Sequence, residues 1–343
     1  MCLAFSLFMP LLSLFLFSRD DRSAHEVSVD RSTMAEHILE DEEEGLEVTD
    51  EQKIGLATWF LLKSPPGEIQ QVAKSIRGVL MDERLFDMAA KEAFPKYNME
   101  QMIAIDLADH SGQVLLTKYG AIDVSQHLDP RTAQVAVIDH VKQVCTDVRP
   151  AADDELPSAF VEEHRASIDN ELVKYVEEAF PKGNCAVYCT CGKDVESGGD
   201  EFELKAVISA TKFSAQNFYS GSWRSVWKIQ VNQELQTVEI NGKINVIAHY
   251  FEEGNVQLET SSECSNSTLL QSPADTGVAV VNVIQYLESD YLGVLEESYS
   301  KVSDNSFKEL RRKLPVTRTR FSWNNALQLS LSREITKELS LTR

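Results

Sequence analysis

Three clusters in this 343-residue chain bring together side chains that could do chemistry. Cys185, Cys189 and Cys191 are close enough in sequence to suggest thiolate ligands for a metal, and through it a zinc enzyme. Their Cys-x3-Cys-x-Cys spacing is not that of a zinc ribbon or finger, and no His-x3–5-His follows. Because Ala186-Val187-Tyr188 is strand-like, reduced strand thiols are expected there. His249 precedes Glu252 and Glu253, residue types that make a base–carboxylate pair. Those two acids belong to a predicted hairpin turn with Gly254-Asn255, so a structural histidine is expected. Phe218, Tyr219, Trp223 and Trp227 could stack nucleobases with help from Arg224 and Lys228. Strand alternation places both cations on the face opposite the tryptophans, which makes the aromatics core residues.

The sequence lacks a phosphate-binding Gly-x-x-x-x-Gly-Lys loop, a dinucleotide turn, a Gly-x-Ser-x-Gly elbow and a His-Glu-x-x-His helix. The acidic run Glu40-Asp41-Glu42-Glu43-Glu44 lacks the alternating ligand spacing of a calcium loop and reads as a solvated tail. The expectation is a protein that is not an enzyme and uses neither cofactor nor metal.

The remaining chemistry is electrostatic. From Lys308 to Arg343 there are nine Lys/Arg and three Asp/Glu, a local charge of +6 in a chain whose total is −21. The preceding residues therefore sum to −27. The basic part is compact and contains Lys308, Arg311, Arg312 and Arg318. Beyond Pro315, Trp323, Leu327, Leu331, Ile335 and Leu339 recur at helical spacing, with Arg333 and Lys337 off that face. A basic anchor followed by an amphipathic helix is a device for holding an acidic surface. An extended binding arm is expected because Pro315 breaks the chain from the helix before it. A helix docked on its own domain has the same pattern.

An acidic total argues against wholesale nucleic-acid binding, which needs a basic field over a whole face. The apolar, uncharged stretch Met1–Ser18 has the look of a secretory core. It has no preceding cation, no small-x-small cleavage site, and an interrupting Pro10. Met34 opens a segment that reads as a cytosolic start, so residues 1–33 are expected to lie outside the folded unit. The competing reading is a secreted or membrane-anchored lipid-binding protein directed by that apolar N-terminus.

The elements that must position these residues are legible from periodicity, and together they predict an α+β fold. After a non-core extension with an acidic tail (1–47), residues 48–98 form a helical stalk. Its first helix presents Ile54, Leu56, Ala57, Phe60 and Leu61 and stops at Pro65-Pro66-Gly67. A second carries Ile69, Val72, Ala73, Ile76 and Leu80, and a third runs from Leu85 to Phe94. Residues 99–150 make a small strand-rich globule, with strands at 102–105, 114–116 and 135–138. An acidic connector from Arg149-Pro150 to Pro157 leads to a helix over 158–180. That helix and an antiparallel central sheet occupy 151–262. A long helix from Ser272 to residue 303, with Val280, Ile284, Leu287, Tyr291, Val294/Leu295 and Val302 inward, crosses the sheet and ends in the basic anchor (263–314). Residues 315–343 form the amphipathic arm.

Several segments resemble one family. Ala248-His249-Tyr250-Phe251-Glu252-Glu253-Gly254-Asn255-Val256 and Phe307 through Arg318 are similar to the two signatures of the alpha subunits of heterodimeric F-actin capping proteins. Further matches are Pro66-Gly67-Glu68, Tyr97-Asn98, Leu128-Asp129-Pro130-Arg131, Asn217-Phe218 and Gly221 through Trp227. The resemblance runs from about residue 48 to the end. Ala248 stands where the first signature often has valine, and residues 1–33 have no counterpart. The resemblance implies an obligate partner, the beta subunit, sharing a central sheet beneath two long antiparallel helices. It implies calcium-independent binding to the actin filament barbed end in the cytoplasm, blocking subunit exchange without severing. It also implies that Lys308, Arg312 and Arg318 make the main contact, with the Trp323–Leu339 helix as a mobile arm. Acidic phospholipids, which inhibit family members, would compete for the same three cations.

Overall fold

The computed structural model describes residues 48–189, 201–251 and 256–301. The chain divides into two compact units. Among the described residues, the first holds the three sheets and the buried clusters within Glu47–Tyr291; of the second, only the helical turns Leu292–Lys301 are described.

Three helices open the fold: α1 (Asp50–Leu62), α2 (Ile69–Leu80) and α3 (Glu83–Glu100). Thr49 starts α1 with a capping box, its hydroxyl accepting from the Gln52 amide while the Gln52 side chain accepts from the Thr49 amide. Asp82 caps α3 by accepting from the amides of Arg84 and Leu85. The helix continues past Phe94, where the periodic pattern ends, and carries Pro95 inside it. Burial of Phe94, Tyr97 and Asn98 on either side holds the helix through the hydrogen bond that proline removes. The helices bury Leu61, Ile69, Ile76, Phe86 and Phe94 against one another. One expectation fails here: Leu56 is 56% exposed and Phe60 52%, and the inward positions of α1 are Ala57, Thr58 and Leu61.

The globule that follows contains the hairpin β1 (Ala104–Asp106) and β2 (Gln113–Leu115). Beside it, β3 (Gln126–Asp129), β4 (Gln134–Asp139) and β5 (Val144–Pro150) form an antiparallel sheet in that order. Strand β5 includes Arg149 and Pro150, so the connector begins one strand end later than expected. A terminal proline is tolerated there because an edge position need not donate to the ladder.

Helix α4 (Ala159–Ala179) precedes a five-stranded antiparallel meander: β6 (Asn184–Cys189), β7 (Glu201–Ser214), β8 (Tyr219–Asn232), β9 (Thr237–Tyr250) and β10 (Val256–Leu269). The order is β10-β9-β8-β7-β6, with each strand beside its sequence neighbour. Strand β10 continues past residue 262 to Leu269, because Ser262 through Leu269 pair in unbroken register with β9. At ~3.3 Å per residue the four longest strands run ~45 Å. Helix α5 (Pro273–Lys301) starts on a cap at Ser272, which accepts from the Asp275 amide and donates to its carboxylate. Helices α4 and α5 share one face of the sheet. On the other, Tyr188 and Val207 pack on Leu115 of the globule, and the Tyr188 hydroxyl donates to the Leu115 carbonyl.

Candidate functional site

All ten residues expected to contact actin lie outside the described residues: Lys308, Arg311, Arg312, Arg318, Trp323, Leu327, Leu331, Arg333, Ile335 and Lys337. What the structure describes is the platform of sheet and helices that precedes that segment in sequence.

The platform is held by one buried carboxylate. On β8, Trp223, Ser225, Trp227 and Ile229 all point toward α5, as alternation requires, and all are buried. At the position where the apolar spacing of α5 would call for another aliphatic residue stands Glu288, which is fully buried. It accepts from the Ser225 hydroxyl (2.5 Å), the Tyr175 hydroxyl of α4 (2.7 Å), and the indoles of Trp227 (3.3 Å) and Trp223 (3.5 Å). Burial raises the Glu288 carboxyl above its ordinary range, while these four donated hydrogen bonds pull it back. Tyr175 is pushed up by burial and by the adjacent carboxylate. Glu288 thus ties α4, α5 and the sheet at one point. Sequence reading overlooked it because a lone acid on an apolar face looks like a solvated position. The signal was available: Glu288 lies four residues after Ile284 and opposite two tryptophans with indole donors to satisfy.

Close approach supports the same arrangement. A side chain at Gly242 on β9 would meet the Trp227 ring at 2.2 Å, and one at Gly277 on α5 would meet the Ser167 hydroxyl of α4 at 2.4 Å. Tyr219, Trp223 and Trp227 are therefore core, which rules out a stacking platform on the tryptophans, whereas Phe218 is 41% exposed, contrary to expectation, because it sits in the left-handed turn before β8.

His249 is structural, but its partner is remote in sequence. It lies 2.9 Å from Glu68 Oε1, to which the Ser220 hydroxyl also donates at 2.7 Å, and its ring stacks on Phe251. Glu68 sits at the N-terminal end of α2, so this buried group joins the helical stalk to the far end of β8 and β9. Glu252 and Glu253, the neighbours suggested by sequence, lie outside the described residues.

Cys185 and Cys189 occupy β6 four residues apart, a separation of ~13 Å along a strand that prevents them from sharing one metal. Burial pushes the Cys185 thiol up to about 11, although the Arg131 guanidinium donates to it at 3.3 Å. Arg131 also forms a two-point pair with Asp169 of α4, at 2.6 and 2.9 Å. Cys191 is outside the described residues. Among the described residues no cluster of three metal-ligating side chains occurs, and no helix is long and apolar enough to cross a membrane.

Two surfaces stand out among the described residues. Strand β10 is one of the two edges of the sheet and, among those residues, bonds to β9 alone. On α1, Leu56, Trp59 and Phe60 are each more than half exposed.

Comparison with known proteins accounts for this architecture. The chain is 51% identical over 306 residues to the F-actin-capping protein subunit alpha of Arabidopsis thaliana, covering 88% of this chain and 99% of that protein. It is 34% identical to the Dictyostelium discoideum subunit alpha, covering 84% and 99%. Among solved structures, the homodimeric actin capping protein alpha subunit from Plasmodium berghei matches with a TM-score of 0.60 at 19% identity, covering 72% of this chain and 92% of that one. The family profile described as F-actin capping protein alpha subunit matches residues 57–334. An antiparallel meander under one long helix, a three-helix stalk, and a match that takes in both the described core and most of the basic C-terminal segment place this chain in the F-actin capping protein alpha subunit family.

Proposed function

We propose that this chain pairs with a beta subunit and that the heterodimer binds actin filament barbed ends, blocking gain and loss of subunits without calcium and without severing. The observation that carries the reading is the 51% identity to a capping protein alpha subunit along 88% of the chain. The unpaired edge of β10 and the exposed Leu56-Trp59-Phe60 face fit a subunit that completes its sheet and stalk with a partner. Actin contact is assigned to Lys308, Arg311, Arg312 and Arg318, followed by the arm bearing Trp323, Leu327, Leu331, Arg333, Ile335 and Lys337. The working location is the cytoplasmic actin cytoskeleton. Acidic headgroups would compete for Lys308, Arg312 and Arg318. The alternative of a secreted, lipid-directed protein rests on the apolar stretch Met1–Ser18 alone, and the likeness to capping protein alpha subunits does not support it.

The test is seeded barbed-end elongation with the co-expressed heterodimer, in calcium and in chelator. Unmodified protein should stop elongation equally in both without raising the number of filament ends. Alanine at Lys308, Arg312 and Arg318 together should weaken capping at least tenfold, as loss of several charge-assisted contacts requires. Unchanged capping by that variant overturns the site assignment.

A further inference from the structure

On the sheet face away from α5, the end of α3, the loop after β2 and strands β8 to β10 line an open cavity of about 870 Å³. Lys96, Lys118, Arg224, Lys228 and Lys243 line it, against only Glu100 and Glu263. That excess is unusual in a chain carrying −21. Arg224 is the centre of the puzzle. It is 6% exposed, and its donors meet only uncharged groups: Nε reaches the Gln101 carbonyl at 2.7 Å and Nη2 the Thr211 hydroxyl at 3.3 Å. Its Nη1 has no partner among the described residues, nor do the nearby Gln101 Oε1 and Asn245 Oδ1. Burial without a counter-charge holds the guanidinium down at about 10.

The lysines differ in kind. Lys96, Lys228 and Lys243 already face Glu92, Glu203 and Glu263 at 2.9 to 3.5 Å, and Lys118 lies over the Tyr119 ring. They make a basic rim around an arginine that lacks its anion. A buried cation without a carboxylate is costly, and chains almost always pair one. The cavity wall runs out to Glu263, Cys264 and Ser265 on β10, the open edge of the sheet, so a chain laid along that edge comes within reach of it.

We infer that the partner subunit lying along β10 inserts an acidic side chain into this cavity, where it supplies the counter-charge of Arg224. The pairing sets the register of the two subunits, because a partner shifted along the edge leaves both charges buried and unpaired. This rests on the heterodimer reading above.

Two experiments on the co-expressed full-length heterodimer decide it. Zero-length carbodiimide coupling joins lysines to carboxylates in salt-bridge contact, and peptide mapping should link Lys96, Lys118 or Lys243 to an Asp or Glu of the partner. Links from these lysines to Glu40–Glu44, to a second copy of this chain, or only to Glu92 and Glu263 overturn the inference. Arg224→Met keeps the volume and removes the charge. Subunit dissociation should become roughly 30-fold easier or more, the effect of stranding a buried carboxylate. An unchanged or tighter complex is the outcome of a cavity that holds no anion, and overturns it. Should Arg224→Met fail to fold, Lys243→Glu at the exposed rim should weaken association about tenfold, an effect that shrinks as salt is raised. No change there is also contrary. If the unmodified chain fails to co-purify with a beta subunit, the heterodimer reading itself falls. If the heterodimer forms but ignores these substitutions, only the present inference does.

Discussion

Single residues carry much of the internal order of this chain, and Glu288 is the clearest case. Glu288→Ala removes the buried acceptor of the Ser225 and Tyr175 hydroxyls, while the Trp227 indole keeps the Ser225 oxygen at 3.0 Å, so the substitution should destabilise the fold by about 3 kcal/mol in urea unfolding. Its titration has a definite sign. A carboxyl raised above the ordinary 4.5 stabilises fully below that pH and loses the contribution as pH rises through the folded value. Glu288→Gln removes that titration. The stability of the unmodified protein relative to this variant should therefore fall as pH is raised above 4.5, and a flat difference would contradict the assignment. Arg131 works in the other direction, as a cation that answers a buried anion. Asp169 is 3% exposed, and Arg131→Ala strands it beside Cys185, at an expected cost of about 2–3 kcal/mol.

At the scale of elements, the sheet and its helices fit by close contact rather than by apolar area alone. Gly242→Ala puts a methyl into the Trp227 ring, which Glu288 holds from behind, so the strand or the helix must shift. A loss of about 2–3 kcal/mol is expected, while the same change at Gly293 of α5, where nothing lies within 4 Å, should be neutral or stabilising. The exposed side of α1 predicts something different. Trp59→Asp with Phe60→Asp should leave stalk helicity intact by circular dichroism, because Ala57, Thr58 and Leu61 make the inward contacts. The same pair should lower recovery of the co-expressed heterodimer several-fold, since an exposed apolar face of this size marks an interface. Full recovery would show that α1 faces water in the assembly.

At the scale of the whole molecule, charge separates the chain into a body of −27 and a tail of +6. On the proposed reading the first would repel an acidic target and the second attract it, so that approach would depend on orientation. The capping on-rate of the Lys308, Arg312 and Arg318 alanine variant should be about tenfold below that of unmodified protein at low salt, and the gap should narrow as ionic strength rises. A gap independent of salt would assign those residues a packing role instead.

Periodicity and caps in the sequence were enough to locate the helices of the stalk, the hairpin order of the sheet and the long crossing helix. These are local properties of a chain with strong turn signals and clean alternation. The side of α1 that faces inward was not legible, because a short helix with apolar residues all round does not say which neighbours it will meet. Glu288, Glu68 and Arg224 were missed for a related reason. Each is an ordinary charged residue until partners 61 to 181 positions away in sequence close around it, with only Thr211 of the Arg224 partners nearer. By itself, then, the sequence determined the family, the element order and the one basic segment that stands out along the chain. Only the tertiary structure decided that a second basic surface exists, assembled from Lys96, Lys118, Arg224, Lys228 and Lys243, because electrostatic fields sum over space and not along the chain.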